Sequence, residues 1–241
     1  MDPKTPLAAR PLGALAALGQ SLWLDFIKRD LLESGALARL VAAGEVTGMT
    51  SNPAIFEKAI AGAEYDALLA QAARDGADTK TVYERLAVRD IRDAADALAP
   101  VYEATRARDG YVSLEVSPHL AHDTAGTVQE AERLWRWVDR PNLMIKVPGT
   151  PAGIPAFATL IGMGINVNVT LLFARATYRA VAEAYVGAIE KRLARGGEVA
   201  RLASVASFFV SRIDTAVDRQ LAARAAAARD DAERARLRAL A

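Results

Sequence analysis

The chain has 241 residues, 52% of them apolar, enough for one large domain or two small ones around a sizeable core. Its formal net charge of +1 supplies no field for drawing in nucleic acid. It contains no cysteine, which excludes disulfides, thiol nucleophiles and thiolate-held metals and fits a reducing cytoplasm.

Taken in chain order, the first pattern is PLGALAALG at 11–19. It has the apolar character of the middle of a secretory leader. Asp2 spoils the basic lead, however, and a first helix or a loose N-terminal arm is expected. Strand-length apolar runs then alternate with helical patterns. The strand candidates are SLWLDF (21–26), EVTGM (45–49), YVSLEV (111–116), NLMIKV (142–147), INVNVT (165–170) and LASVASFF (202–209). The connection from about 50 to 110 holds two or three helices, one of them near Thr81 to Leu98. After the third strand comes HLAH, with Asp123 beside it. Two histidines three apart could ligate zinc, but no third and fourth ligand are identifiable, and Pro118 marks a loop. No metal is expected. Val128, Ala131, Trp135 and Val138 share a helix face, and Thr127 with Glu130 has the spacing of a capping box at its start. A further helix is expected from about Arg175 to Leu193. The Ala- and Arg-rich tail should be helical by propensity, with an apolar stripe that fades after Leu221. Strand alternating with helix implies parallel strands joined by right-handed crossovers.

Val147 to Ala174 carries no charge over 28 residues, long enough to cross a bilayer. Pro148, Pro151, Pro155, four glycines, Asn166 and Asn168 argue against a membrane span, because too many backbone groups would go unpaired. A buried helix followed by a buried strand fits instead. The sequence has no Walker loop and no dinucleotide glycine fingerprint.

Residues two apart on a strand share a face. Asn166, Asn168 and Thr170 therefore point one way, opposite Ile165, Val167 and Val169. Ser113 and Glu115 repeat the pattern. Asp25 and Lys146 are the lone charges of their strands, Ser207 lies late in the last one, and Asn52 follows the second. Each strand thus offers polar groups near its C-terminal end, where β/α barrels place their chemistry. One stray polar residue needs no explanation. Six strands that each carry one, including Asp, Glu and Lys, are better explained by a shared pocket, since burying unpaired charges costs roughly several kcal/mol each. Within that pocket burial disfavours the ammonium form of Lys146, and a neutral amine attacks carbonyls to form a Schiff base. A structural lysine paired with Glu115 or Asp25 is the alternative.

The segments GQSLWLDFI, VTGMTSNPAIFEKAI, VSLEVSPHL, NLMIKVPGT, NVNVTLLF and SVASFFVSRID together resemble the transaldolase family, in its order, over about residues 19 to 215. The branch resembled is the longer bacterial one, which occurs alone or fused to a sugar-phosphate isomerase. The resemblance implies a (β/α)8 TIM-type barrel and a class I aldol mechanism that needs no metal or organic cofactor. It implies that Lys146 forms the Schiff base with a ketose phosphate. Asp25 would take the C4 hydroxyl proton, and Glu115 with Thr170 would hold a catalytic water. Asn52 and Asn168 would hold the dihydroxyacetone hydroxyls, with Ser207 as a further pocket hydroxyl and Arg212 directed toward the substrate phosphate. Implied substrates are fructose 6-phosphate, sedoheptulose 7-phosphate, erythrose 4-phosphate and glyceraldehyde 3-phosphate, in the pentose phosphate pathway.

The pattern departs from the family after the sixth strand. The chain reads as a single barrel domain over 1–241 with about six of the eight strands. The phosphate site that barrels commonly build after strands seven and eight has no counterpart. Weak activity and self-association through uncovered sheet edges are the resulting expectations. A related Schiff-base aldolase, or a truncated scaffold without catalysis, are the alternative readings.

Overall fold

The computed structural model describes residues 11–240. A short helix, α1 (Pro11–Ala17), leads into β1 (Trp23–Asp25), α2 (Arg29–Glu33), α3 (Ala36–Ala42) and β2 (Gly48–Thr50). The long connection that follows carries α4 (Pro53–Ile60), a 3-10 turn at Ala63–Tyr65, α5 (Asp66–Arg74) and the 26-residue α6 (Thr79–Ala104). Regular alternation then takes over with β3 (Val112–Glu115), a 3-10 turn at Pro118–Leu120, α7 (Thr124–Val138), β4 (Leu143–Pro148), α8 (Gly153–Met163), β5 (Val167–Leu172), α9 (Arg175–Ala194) and β6 (Ser204–Phe208). The tail forms α10 (Val210–Ala227) and α11 (Asp231–Arg238), which pack chiefly against each other around buried Ala225 and Leu237.

All six strands are parallel and lie in chain order, β1 to β6, curled into the larger part of a TIM-type barrel. Among the described residues, one edge of β1 and one edge of β6 stay unpaired. The main core lies between the sheet and its helices. There Leu114, Val116, Ile145, Val147, Val167 and Val169 meet α6, α7, α8 and α9. A second, smaller cluster fills the lower barrel interior, where Tyr111 and Met144 pack with Trp23, Ala203 and Val205. Gly48 is required here, because any Cβ at that position would run into the Trp23 indole.

A buried ion pair fixes the chain just beyond β1. Arg29 donates to Asp90 and Asp93 of α6, and the Tyr65 hydroxyl donates to Asp90 at 2.5 Å. Arg29, Tyr65 and Asp90 are all buried.

Two sequence expectations need correction. The start of α7 is capped by Asp123, whose Oδ1 accepts from the Gly126 N–H at 2.9 Å. Thr127 and Glu130 are not a capping box. Both are buried inside the helix, Thr127 donating to the Leu120 carbonyl and Glu130 accepting from the Ser117 N–H. Strand β2 starts at Gly48 rather than Glu45, because the Thr47 hydroxyl takes the Leu22 N–H at 3.0 Å in place of a ladder bond. The uncharged stretch is indeed helix α8 followed by strand β5, and no described helix is long and apolar enough to cross a membrane.

Candidate active site

Register and alternation decide which side chains enter the barrel. Asp25 is level with Thr50, Thr50 with Ser113, Glu115 with Lys146, and Lys146 with Asn168. In a parallel sheet, residues in register share a face. These six side chains therefore line the interior, above the apolar floor of Trp23, Tyr111 and Met144. Thr170 enters one step higher, level with Pro148.

Lys146 sits at the centre, 5% exposed. Its Nζ lies 3.5 Å from Glu115 Oε2 and donates to the Ser51 carbonyl at 3.2 Å. Burial pushes the Glu115 carboxyl above its ordinary value. Lys146 opposes the shift, and the negative charge of Asp25 adds to it. The amine is thus held between one carboxylate and one backbone carbonyl, dry but not isolated.

Asn168 is almost fully buried and has both ends of its amide engaged. Its Nδ2 donates to Ser113 Oγ at 3.0 Å, and its Oδ1 accepts from Ser207 Oγ at 2.7 Å. The Thr170 hydroxyl is buried near the top of β5 with no hydrogen-bond partner among the described residues, and the Thr50 hydroxyl is in the same condition. Directly after Thr170 the strand bulges: Leu171 takes a left-handed backbone, φ 60°, and the register to β6 shifts between Val169 and Leu172.

Asn52 stands at the mouth, half-buried. Its Oδ1 caps α4 by accepting from the Ile55 N–H at 2.9 Å, which leaves its amino group free for another partner. Asp25 is exposed at the end of β1. Arg212 lies in the first turn of α10, exposed, with its guanidinium 4.3 Å over the Phe209 ring, which itself stacks on Phe173. The structure thus gathers Lys146, Glu115, Asn168, Ser207 and Thr170 on four adjacent strands, β3 to β6. It places Asp25, Asn52 and Arg212 around the rim. His119 and His122 do not join a metal cluster; no group of three or more His, Cys, Asp or Glu gathers among the described residues.

Three hydroxyls gain a place only in the folded chain. Thr50 lies one residue past the strand candidate at 45–49, and its inward position follows once β2 is known to reach it. Ser113 shares the polar face of Glu115, but its bond to Asn168 and that of Ser51 to the Ser113 carbonyl join groups far apart in the chain.

A cleft of about 810 Å³ lies between β3 and the helices α4, α5, α6 and α7. It meets the site only at Glu115 and is lined mostly by apolar side chains such as Ile60, Val82, Leu114 and Leu134. The barrel interior, where polar side chains from several strands converge, suits a sugar's hydroxyls better. Tyr83, beside this cleft, is pushed up to about 12 by burial and by the nearby charges of Glu115, Glu84 and Glu130.

A family model described as Transaldolase/Fructose-6-phosphate aldolase matches residues 22–239. Among similar curated proteins, a transaldolase of Thiobacillus denitrificans is 56% identical over 209 residues, covering 86% of this chain and 58% of its own length. A protein of Nostoc sp. named transaldolase 2 is 49% identical over 226 residues, covering 93% and 59%. A transaldolase of Mycobacterium ulcerans is 48% identical over 211 residues, covering 87% and 57%. The chain therefore spans somewhat under three fifths of the length of these relatives.

Proposed function

Because the chain belongs to the transaldolase/fructose-6-phosphate aldolase family, we propose that its barrel interior forms a Schiff base with a ketose phosphate and passes on a dihydroxyacetone unit. The Lys146 amine attacks the C2 carbonyl, and loss of water leaves an iminium ion. Asp25 accepts the C4 hydroxyl proton while the C3–C4 bond breaks, and the bonding pair moves into the iminium to give an enamine. An aldose phosphate leaves, and another accepts the enamine by the reverse steps. Glu115, its carboxyl raised toward the working range of a general acid–base group, exchanges protons with the carbinolamine, with Thr170 orienting the water. Asn168, Ser207 and the free amino group of Asn52 hold the three-carbon hydroxyls. Arg212 offers a planar fork to the phosphate. The β1 and β6 edges, unpaired among the described residues, are expected to associate.

The observation that supports this reading best is the buried Lys146 amine on the inner face, level with Glu115 on one side and Asn168 on the other. Borohydride reduction in the presence of fructose 6-phosphate should leave a stable adduct, located by peptide mass at Lys146 and lost in Lys146→Ala. Failure to trap any adduct at Lys146 overturns the proposal. The family also includes fructose-6-phosphate aldolases, which makes a second reading concrete: release of free dihydroxyacetone rather than transfer. Product analysis with and without an acceptor aldose phosphate separates the two.

A further inference from the structure

Two serines connect the amine to the amide that faces it. Ser51 and Ser113 are both fully buried. Ser51 follows β2 directly, and its Oγ donates to the Ser113 carbonyl at 2.7 Å. The Ser51 carbonyl in turn accepts from Lys146 Nζ at 3.2 Å. At the other end the Ser113 Oγ accepts from Asn168 Nδ2 at 3.0 Å, and Ser207 Oγ donates to the far side of that amide at 2.7 Å. The result is an unbroken path, Lys146 to Ser51 to Ser113 to Asn168 to Ser207, that runs through β2, β3, β4, β5 and β6.

Each link fixes a position. Asn168 donates through its nitrogen to the Ser113 hydroxyl and accepts through its oxygen from the Ser207 hydroxyl, so its plane is held between β3 and β6 with one amino hydrogen to spare. The Ser51 hydroxyl meanwhile ties the end of β2 to β3. This holds the one backbone carbonyl that the Lys146 amine uses, and so sets where the amine sits relative to Glu115. A buried polar group left without its partner costs about 1–3 kcal/mol, so neither serine is there simply to fill space.

We propose that Ser51 and Ser113 are positioning residues of this site: Ser113 orients the Asn168 amide for the ketose hydroxyl, and Ser51 holds the Lys146 amine at its attack position. The inference rests on the Schiff-base reading above. It divides the labour in a way that can be measured, because Ser113 acts on binding of the three-carbon head and Ser51 acts on the attacking amine.

The test measures the rate of borohydride-trapped adduct formation against fructose 6-phosphate concentration, for the full chain and for Ser113→Ala and Ser51→Ala. Ser113→Ala should raise the half-saturating concentration about tenfold with the maximal rate within about twofold. Ser51→Ala should lower the maximal rate about tenfold with half-saturation within about twofold. A purely structural loss would move both parameters together in each variant. Parameters equal to those of the unaltered chain, or moving together, overturn the proposal. Should Ser113→Ala fail to fold, Ser113→Cys keeps the volume and weakens the acceptor, and the same split is expected. An unaltered chain that forms no adduct defeats the Schiff-base reading by itself. The orienting role is then read from the Asn168 side-chain amide protons in a nitrogen-15-labelled chain. Faster exchange in the Ser113 variant supports that role, and unchanged exchange overturns it.

Discussion

Glu115 carries a stability cost that follows from its position. Its carboxyl has an ordinary value of 4.5 when exposed, and burial raises it in the folded chain despite the opposing pull of Lys146. The folded state therefore binds more protons than the unfolded state between those two values, and stability falls as pH rises through that window. Glu115→Gln removes this titration. Urea midpoints measured across pH should show the unaltered chain losing ground to the variant as pH climbs from 4.5 toward the raised value; a constant difference would contradict the assignment. Arg29 gives a larger effect of a different kind. Its removal leaves buried Asp90, already raised by burial, with the Tyr65 hydroxyl but without its cation. Arg29→Ala should cost roughly 3–5 kcal/mol in denaturant unfolding. At this scale Lys146, Glu115 and Asn168 were legible in the sequence, because alternation along a strand places them on one face. The bonds of Ser51 and Ser113 were not: their partners lie 62 and 55 residues away, and no local pattern encodes contacts made across a folded barrel.

Among the elements, β5 holds the least comfortable backbone. Leu171 adopts a left-handed conformation that costs a non-glycine residue about 1–2 kcal/mol, and the residue is 43% exposed. Leu171→Gly should leave stability unchanged or raise it by up to about 1 kcal/mol, as read from the unfolding midpoint. A loss beyond that range would show that the Leu171 side chain contributes packing that its exposure hides. The bulge lies directly after Thr170, so relief of the strain should also let that hydroxyl wander. Element identity was readable throughout: all six strand candidates and the helices between them exist, because apolar periodicity survives burial. Element ends were less so. Thr47 supplies a side-chain hydroxyl where a ladder bond was expected, and Asn166 bonds the Pro141 and Leu143 carbonyls ahead of the start of β5. Such substitutions shift a strand boundary without changing its hydrophobic pattern. The start of α7 is ambiguous in the sequence for a similar reason, since Asp123 and Thr127 both match a capping residue and only burial distinguishes them.

For the whole molecule, strand order was legible because strict alternation of strand and helix leaves few topologies open. The sheet closes on neither edge among the described residues, and large apolar side chains cluster near the β6 side: Phe173, Phe208 and Val210 are each about half exposed. An edge of this kind recruits strands. Sedimentation should show concentration-dependent self-association of the isolated chain, reduced by Phe208→Glu; a single monomeric species at all concentrations would count against it. The open flank also bears on chemistry. Asp25 stands on that side, at an edge strand, facing solvent. On the Schiff-base reading proposed above, a carbanion equivalent held on the buried Lys146 amine would face the exposed Asp25 and, beyond it, that flank. Covering the flank would then decide the fate of the three-carbon fragment. Under cover, the fragment would wait for an incoming aldehyde; with water let in, a solvent proton would quench it and free ketotriose would depart.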